Sequence, residues 1–242
     1  MKKLFPIFFV LAVACTSTPD PQEIIDKSIE VHGGKKFEEA LASFKFRDKY
    51  YSVKKNDGRN LYTREFEEDG KRVKDILYNS TEFSRVVNDT LVEVSQEWQE
   101  KYTESVNSVL YFFQLPYGLN DLAVKKEYLG ETYIFKKPYH KIKVTFGQQG
   151  GGVDYEDEFI YWIHQTDFTM DFLAYSYSTD DSGIRFRQAI NRRENNGILI
   201  QDYINFKEKS KDAPLEKHDE YFEKGQLKEL SRIINEEVSV TF

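Results

Sequence analysis

The chain has 242 residues, 40% of them hydrophobic and 15% aromatic, and its formal net charge is −7 at pH 7. This length suits one large β domain or two small ones, and the hydrophobic content is ample for a core. The acidic balance argues against nucleic acid as a partner and against adhesion to an anionic lipid surface. Because the sequence contains no Pro/Gly/Ser-rich linker and no internal repeat, we expect a single domain over residues 21–242.

The first fourteen residues have the composition of a secretion signal. Lys2 and Lys3 precede an apolar run at residues 4–13, which is shorter than the roughly 20 residues needed to cross a bilayer. We therefore assign residues 1–14 to a signal peptide that is not part of the fold. Its removal takes away both lysines and changes the net charge from −7 to −9.

The segment at residues 12–15, small residues followed by a cysteine, resembles a bacterial lipobox. The resemblance implies cleavage before Cys15 and attachment of lipid, such as palmitate, to its sulfur, with residues 15–20 as a lipidated tether. An ordinary signal peptide cleaved after Ala14, which leaves a free thiol, is the alternative. Cys15 is the only cysteine, so it has no disulfide partner. With Thr16 and no acidic run after it, the motif implies an outer-membrane lipoprotein that faces the periplasm.

Two helices are predicted where the tether ends. The first covers about residues 21–32, with Asp20 as its N-cap and the glycines at 33–34 as its stop. The second is short and covers residues 36–41. Alternating runs bounded by turn residues predict strands over most of the remaining chain, with residues 207–218 as a charged loop. The predicted strands are 44–53, 60–67, 72–78, 82–87, 90–94, 124–135, 139–146, 159–164, 168–177, 184–193, 198–206 and 227–241.

The strands at 184–193 and 198–206 form the best-defined hairpin. Residues 195–197 suit a three-residue loop with Gly197 in the left-handed region, which pairs Arg192 with Ile200. This register collects apolar side chains on one face and polar side chains on the other. The apolar face carries Ile184, Phe186, Ile190, Ile198, Ile200, Ile204 and Phe206. The polar face carries Arg185, Arg187, Asn191, Arg193, Gln201 and Asn205.

Asp202 is the acidic residue on that apolar face. An unpaired buried carboxylate is costly, and Arg192 lies diagonally across the strand pair, within reach of a long side chain. Two interpretations stay open, a structural Asp202–Arg192 ion pair and a contact from these residues to the headgroup of a ligand.

Residues 95–113 interrupt the β pattern. Ser95 can cap a helix, and large apolar side chains then recur at helical spacing. These side chains are Trp98, Tyr102, Val106, Val109, Leu110 and Phe113. The segment therefore predicts a helix that packs one face against the sheet.

Several segments together resemble an uncharacterised family of Bacteroidota lipoproteins and, more loosely, the lipoprotein-carrier superfamily of LolA and LolB. The matching segments are residues 26–34, 112–119, 128–131, 157–163 and 183–187. The resemblance implies a mainly β (α+β) fold, a curved antiparallel half-barrel of about 11–12 strands with helices covering its concave side. Carriers of this kind hold acyl chains there.

On this interpretation the helix at 95–113 covers the mouth of a hydrophobic cavity; the alternative is that it simply completes the core. The candidate cavity residues are Trp98, Tyr102, Val106, Val109, Phe113, Phe186, Ile200 and Ile204. Arg185 and Arg187 are candidates for holding a lipid phosphate or carboxylate. They can equally pair with acidic neighbours on an outer surface, because exposed strand faces are usually charged.

No motif of the sequence predicts catalysis. The four histidines, His32, His140, His164 and His218, lack the spacing of a zinc site, and no Gly-x-Ser-x-Gly elbow exists. We therefore expect a non-enzymatic protein without metal or cofactor that binds a lipid or acyl chain. The second hypothesis is an interaction subunit for another envelope protein, with a barrel filled by its own side chains. A hydrolase is a third possibility that the placement of the histidines argues against.

Overall fold

The computed structural model describes residues 18–56, 59–147, 157–177, 183–208 and 214–242; the predicted signal peptide and Cys15 lie outside these ranges. Within them the chain is mainly β, with four α-helices and fourteen strands. The helices are α1 (Pro21–Val31), α2 (Lys36–Glu39), α3 (Gln96–Gln114) and α4 (His218–Glu223). The strands are β1 (Leu41–Phe46), β2 (Lys49–Asn56), β3 (Arg59–Glu68), β4 (Lys71–Tyr78), β5 (Glu82–Val87), β6 (Thr90–Val92), β7 (Val124–Ile134), β8 (Lys137–Phe146), β9 (Phe159–His164), β10 (Met170–Tyr177), β11 (Gly183–Asn195), β12 (Ile198–Glu208), β13 (Leu227–Ile233) and β14 (Glu236–Thr241).

The strands form two antiparallel sheets of seven strands each. Sheet 1 has the order β14-β1-β2-β3-β4-β5-β6, and sheet 2 has the order β13-β12-β11-β10-β9-β8-β7. Most neighbours in the sheets are also neighbours in sequence, as expected for a meander. The exception is the C-terminal pair, because the chain leaves sheet 2 after β13 and re-enters sheet 1 as β14 beside β1.

The strand count is higher than predicted because two predicted strands are each divided. The run at 44–53 is a hairpin in which Phe46 pairs with Lys49 across a tight turn, and Arg47 has a φ of 58°. The run at 227–241 is split into β13 and β14. Asp202 stabilises this break, because its Oδ1 accepts a hydrogen bond of 2.9 Å from the backbone N–H of Asn235. Each break lies at three consecutive polar residues, 47–49 and 235–237, where the apolar/polar alternation is interrupted.

The register predicted for the β11–β12 hairpin is confirmed over its first half. Phe186 pairs with Phe206, and Ile190 pairs with Asp202. The predicted three-residue loop is wrong, because Asn195 pairs directly with Ile198.

The turn itself contains two residues, Asn196 and Gly197, with φ angles of 48° and 79°. Positive φ at both positions is typical of the tight turns that suit twisted hairpins. A bulge between Ile190 and Arg193 absorbs the change of register, so Arg193, and not Arg192, lies opposite Ile200.

The core consists of three clusters of buried side chains. The first lies between sheet 1 and α3 and includes Val106 and Leu110. The second lies between sheet 2, α1 and the end of α3 and includes Ile25. The third covers the other face of sheet 2, where Phe186 packs against Phe222 of α4 with ring centroids 4.9 Å apart. The predicted charged loop at 207–218 therefore missed the start of α4, which covers this face.

Helix α1 begins and ends as predicted. The Asp20 carboxylate accepts a hydrogen bond of 2.9 Å from the N–H of Gln22, which satisfies one free donor of the first turn. At its other end the carbonyl of His32 accepts a hydrogen bond of 3.2 Å from the N–H of Leu199. This contact fixes the end of α1 against the tip of the β11–β12 hairpin.

Candidate functional site

A cavity of about 1110 Å³ lies between α3 and the two sheets. Helix α3 contributes side chains along its whole length, from Gln96 near its start to Phe113 near its end. Gln96 and Glu100 are exposed, so the cavity opens to solvent along this helix. Its volume is slightly above the range of about 300–1,000 Å³ that is typical of small-molecule sites.

Aromatic rings line the part of the cavity formed by sheet 2 and the end of α3. The rings belong to Tyr111, Phe112, Phe146, Phe159, Tyr175, Tyr177 and Tyr203. Phe112 lies 5.1 Å from Tyr175, and Tyr175 lies 5.4 Å from Phe159, measured between ring centroids. These distances are typical of packed aromatic pairs. The wall is therefore a set of neighbouring aromatic rings carried by the strands of sheet 2 and by the end of α3.

Arg187 of β11 lies within this aromatic wall with only 8% of its surface exposed. Its guanidinium carbon is 3.6 Å from the centroid of the Phe112 ring, and its Nη2 donates a hydrogen bond of 2.9 Å to the Tyr175 hydroxyl. Its Nε has no hydrogen-bond acceptor among the described residues. None of the ion pairs formed within the described ranges involves Arg187, although the carboxylates of Asp121 and Asp157 also belong to the cavity lining.

Asn205 of β12 lies directly opposite Arg187 in the sheet register and also lines the cavity. Its Nδ2 donates a long hydrogen bond of 3.4 Å to the Ser231 hydroxyl. Its Oδ1 is buried and has no partner within the described parts of the chain. Buried polar groups are normally hydrogen-bonded, so two adjacent groups that lack a partner mark this part of the cavity as a polar contact point for a ligand or water.

Three phenols lie close to this contact point. The hydroxyls of Tyr111 and Tyr161 are 2.7 Å apart, and the hydroxyl of Tyr203 accepts a hydrogen bond of 2.8 Å from Gln201. Burial raises the pKa of each of these phenols above its ordinary value. They are therefore neutral at physiological pH and do not compensate the charge of Arg187.

The N-terminal half of α3 is held to sheet 1 by polar contacts. Asp75 is fully buried and accepts hydrogen bonds from both Arg64 and Arg85. Arg64 also donates a hydrogen bond of 2.7 Å to Ser105 of α3, and Arg85 lies 3.6 Å from the centroid of the Tyr102 ring. These contacts, together with burial of Val106 and Leu110, place α3 across the cavity.

The structure brings only part of the predicted cavity set to the cavity. Val109 and Phe113 line it. Val106 is buried against sheet 1, and Tyr102 packs on Arg85. The expectation that Trp98 is buried is wrong, because half of its surface is exposed.

The hairpin candidates lie elsewhere. Phe186 lies on the face of sheet 2 that α4 covers, opposite to the face that carries Arg187. Ile204 shares that face and is half-buried, and Ile200 is buried in the cluster beneath sheet 1. None of the three lines the cavity within the described residues. The sequence separated the two faces of the hairpin correctly but assigned the wrong face to the cavity.

The four headgroup candidates fall into two groups. Arg185 and Arg187 line the cavity, and the guanidinium of Arg185 lies 4.7 Å from the centroid of the Tyr177 ring. Arg192 instead pairs with Asp171 at 2.7 Å, and Asp202 pairs with Arg193 at 3.2 Å. The predicted Asp202–Arg192 pair is wrong because the bulge in β11 moves Arg193 to the position beside Asp202.

Sequence reasoning missed most of the aromatic wall. Tyr175 and Tyr177 alternate with buried residues on β10, so their common face is visible in the sequence. Tyr111 and Phe112 lie outside the predicted apolar stripe of α3, yet they contact sheet 2. The sequence does not reveal these two contacts, because α3 packs against two sheets. A single apolar stripe predicts only one contact face of a helix.

Within the described residues, no helix has both the length and the apolar character needed to cross a bilayer. The same part of the chain contains no group of three or more His, Cys, Asp or Glu side chains placed to bind a metal ion.

An open two-sheet β protein with a helix across an aromatic cavity is the class that this geometry defines. The chain belongs to a family of unknown function, DUF6503, whose profile matches residues 2–235. The resemblance to an uncharacterised family is thereby confirmed. No curated protein matches the chain.

Three solved structures of low sequence identity are similar to parts or most of the chain. One is a LolA superfamily protein from Nitrosomonas europaea, with 10% identity, 93% of each chain covered and a TM-score of 0.48. A DUF1329 family protein from Desulfovibrio piger has 11% identity and a TM-score of 0.40, covering 78% of this chain and 87% of its own. A putative outer membrane lipoprotein-sorting protein domain from Vibrio parahaemolyticus has 8% identity and a TM-score of 0.34, covering 77% and 86%.

Proposed function

We propose that this protein binds a hydrophobic ligand, a lipid or acyl chain, in the cavity beneath α3, and that it does so without catalysis. The observation that carries the proposal is the cavity of about 1110 Å³ whose wall is a continuous set of aromatic rings. Apolar surface that stays in contact with water is unfavourable, and an acyl chain removes it from water at about 25 cal/mol per Å².

The non-catalytic part of the proposal is supported by the chemistry of the lining. Among the described residues, the cavity lining contains neither histidine nor cysteine, the side chains most suited to general acid–base and nucleophilic work. Beside the aromatic wall, the polar groups of the lining include Arg185, Arg187 and Asn205, which suit contact with a headgroup.

The remaining parts of the proposal concern architecture and location. The two sheets form the walls of an open half-barrel with α3 over its concave side. A lipid on Cys15 anchors the protein in the outer membrane, facing the periplasm, and the cavity then lies close to a source of lipid. The lipobox-like segment supports the anchor, and the position of α3 between the two sheets supports the half-barrel.

The competing function is an interaction subunit whose barrel is filled by its own side chains. The aromatic rings of the wall pack against each other and leave the cavity between them and α3 open. This observation favours the ligand-binding function over a self-filled barrel.

The test is native mass spectrometry of residues 19–242, purified gently from a bacterial periplasm. This fragment retains every helix and strand of the described chain. We expect an adduct that is released as lipid on denaturation. A bare protein mass that persists after incubation with envelope lipids would overturn the proposal.

A pair of variants shows whether an adduct occupies the cavity. Ser108 lies on α3, lines the cavity and is exposed, so Ser108→Trp places a ring in the ligand space without disturbing the core. Glu97 is exposed on the same helix and is not part of the lining, so Glu97→Trp is the matched control. We expect the adduct to be lost only with Ser108→Trp. Equal retention in both variants would place the lipid outside the cavity.

A further inference from the structure

Arg187 is a buried cation that forms no ion pair with another described residue. It is 92% buried, yet its contacts are the Phe112 ring, the Tyr175 hydroxyl and the Tyr175 ring. A buried cation without a counterion destabilises the fold that contains it, because its charge has lost water and gained no anion. The other buried arginines differ, since Arg64 and Arg85 share the carboxylate of Asp75.

Two unsatisfied polar atoms lie at the position of Arg187 in the sheet. Arg187 Nε and Asn205 Oδ1 are both buried, without partners among the described residues, and belong to paired positions of β11 and β12 that line the cavity. A half-turn of the Asn205 amide exchanges its oxygen and nitrogen. The nitrogen then joins Arg187 Nε as a second donor, and the oxygen accepts from the Ser231 hydroxyl.

We infer that the ligand is an acyl chain ending in a carboxylate, bound with its carboxylate inward against Arg187 and its chain along the aromatic wall. This inference rests on the proposed function and names the class of ligand for that site. A carboxylate carries one negative charge, which matches one guanidinium, and its two oxygens can accept from Arg187 and Asn205 together. The rings of Phe112, Tyr175 and Phe159 then contact the methylene groups nearest the headgroup.

The ligand orientation follows from the same geometry. Arg187 is buried within the wall, whereas the exposed lining residues Gln96 and Glu100 lie on α3. The acid end therefore binds inside, near Phe112 at the end of α3, and the free end of the chain lies toward the exposed N-terminal part of α3. A chain esterified at its carboxyl end lacks this charge and leaves Arg187 uncompensated.

The test compares three ligands with one chain length: laurate, 1-dodecanol and dodecyl phosphate. Each is titrated at pH 8 against residues 19–242 carrying a neutral fluorescent naphthylamine probe. For the wild type we expect laurate to displace the probe at about tenfold lower concentration than dodecanol, the size of effect typical of a desolvated charge-assisted hydrogen bond. Dodecyl phosphate is expected to bind no more tightly than laurate.

Variants of Arg187 test whether this residue causes the preference for laurate over dodecanol. Arg187→Gln is expected to reduce the laurate preference to about twofold or less, and Arg187→Lys to keep part of it, because the charge remains. Arg72 is exposed and is not part of the cavity lining, and Arg72→Gln removes one positive charge as a control that is expected to leave the preference unchanged. The unfolding midpoint of ligand-free Arg187→Gln is expected to be no lower than that of the wild type, since the variant removes an uncompensated buried charge.

The outcomes separate the inference from the proposed function. Equal affinity of wild type for laurate and dodecanol would overturn the inference while hydrophobic binding stands. Clearly tighter binding of dodecyl phosphate would overturn the carboxylate class. Failure of all three ligands to displace the probe, with no lipid adduct, would overturn the proposed function itself. A large loss of stability in Arg187→Gln would mark the residue as structural and also count against the inference.

Discussion

Asp75 is the carboxylate that compensates two buried arginines of sheet 1. It is fully buried and lies between Arg64 at 2.6 Å and Arg85 at 2.7 Å. Replacing it with asparagine keeps the shape but leaves two buried guanidinium groups without a carboxylate. We expect Asp75→Asn to lower the free energy of unfolding by about 3–5 kcal/mol, measured by urea denaturation.

Asp89 provides the control for this change. It pairs with Arg72 at 2.6 Å, but both side chains are more than three-quarters exposed. Exposed ion pairs contribute about 0–1 kcal/mol, so Asp89→Asn is expected to have little effect. Equal losses in the two variants would show that burial does not determine the strength of the Asp75 cluster.

His32 makes stability depend on pH. Burial lowers the pKa of His32 from 6.5 to about 4 in the folded protein. Between these values the unfolded chain binds the proton and the folded chain does not, so stability falls as the pH falls. The loss is on the order of 2 kcal/mol between pH 7.5 and pH 5.

The His32→Gln variant tests this dependence, because glutamine keeps a hydrogen-bond donor but does not titrate. Urea unfolding at pH 7.5, 6.5 and 5 is expected to give a flatter profile for the variant than for the wild type. Burial also lowers the pKa of His218, so some slope remains in both proteins. Identical slopes in the two would contradict the assignment to His32.

Residue patterns in the sequence identified which side chains share a face but not which face encloses the cavity. Alternation on β11 correctly separated Phe186 from Arg185 and Arg187. The apolar face was then expected to line the cavity, yet α4 covers it, and the arginines line the cavity instead. Both faces of sheet 2 are buried, so hydrophobicity alone cannot distinguish the cavity side from the α4 side.

At the scale of elements, the contact between α1 and the β11–β12 hairpin depends on Gly33. Its φ is +124°, and a Cβ built on it would lie 3.1 Å from the Cα of Ile198. Gly33→Ala is therefore expected to destabilise the fold through both backbone strain and a steric clash with backbone atoms. Together these cost about 2–6 kcal/mol in urea unfolding.

Gly130 separates the two effects. Its φ of +113° is similar, but a Cβ there would meet no atom within 4 Å. Gly130→Ala is thus expected to show the strain alone, about 1–3 kcal/mol. If Gly130→Ala were as damaging as Gly33→Ala, the close approach of α1 to the hairpin would contribute nothing.

Element boundaries were predictable where a residue type fixes the backbone conformation. They were not predictable where tertiary contacts determine the boundary. Helix α1, for example, begins at Pro21 after its N-cap Asp20, and it ends just before the glycines at 33–34. The hairpin bulge of β11 was not predictable, because it reconciles a two-residue turn with burial of Ile198 and Ile200 under sheet 1. The turn residues and the apolar residues are both visible in the sequence, but the bulge that accommodates them is not.

At the scale of the whole molecule, the proposed lipid anchor would determine where the cavity meets the proposed ligand. The chain from Cys15 to Pro21 can span at most about 20 Å, so a lipid on Cys15 would hold the start of α1 close to the membrane surface. Gln22 in the first turn of α1 hydrogen-bonds to Asn120 at 2.8 Å, and Asp121, the next residue, lines the cavity. One end of the cavity would therefore lie beside the anchor.

Cys15→Ser tests this arrangement in cells. The wild type is expected to sediment with membranes, to resist a salt wash and to enter the detergent extract, with a mature mass that includes lipid on residue 15. Since serine provides no thiol for the lipid, Cys15→Ser is expected to keep its leader or to appear in the soluble fraction. Ser17→Ala, two residues further along, leaves the thiol intact and is the control. A wild-type protein that begins at Cys15 with a free thiol would contradict the anchor, and the cavity would then have to obtain its ligand from solution.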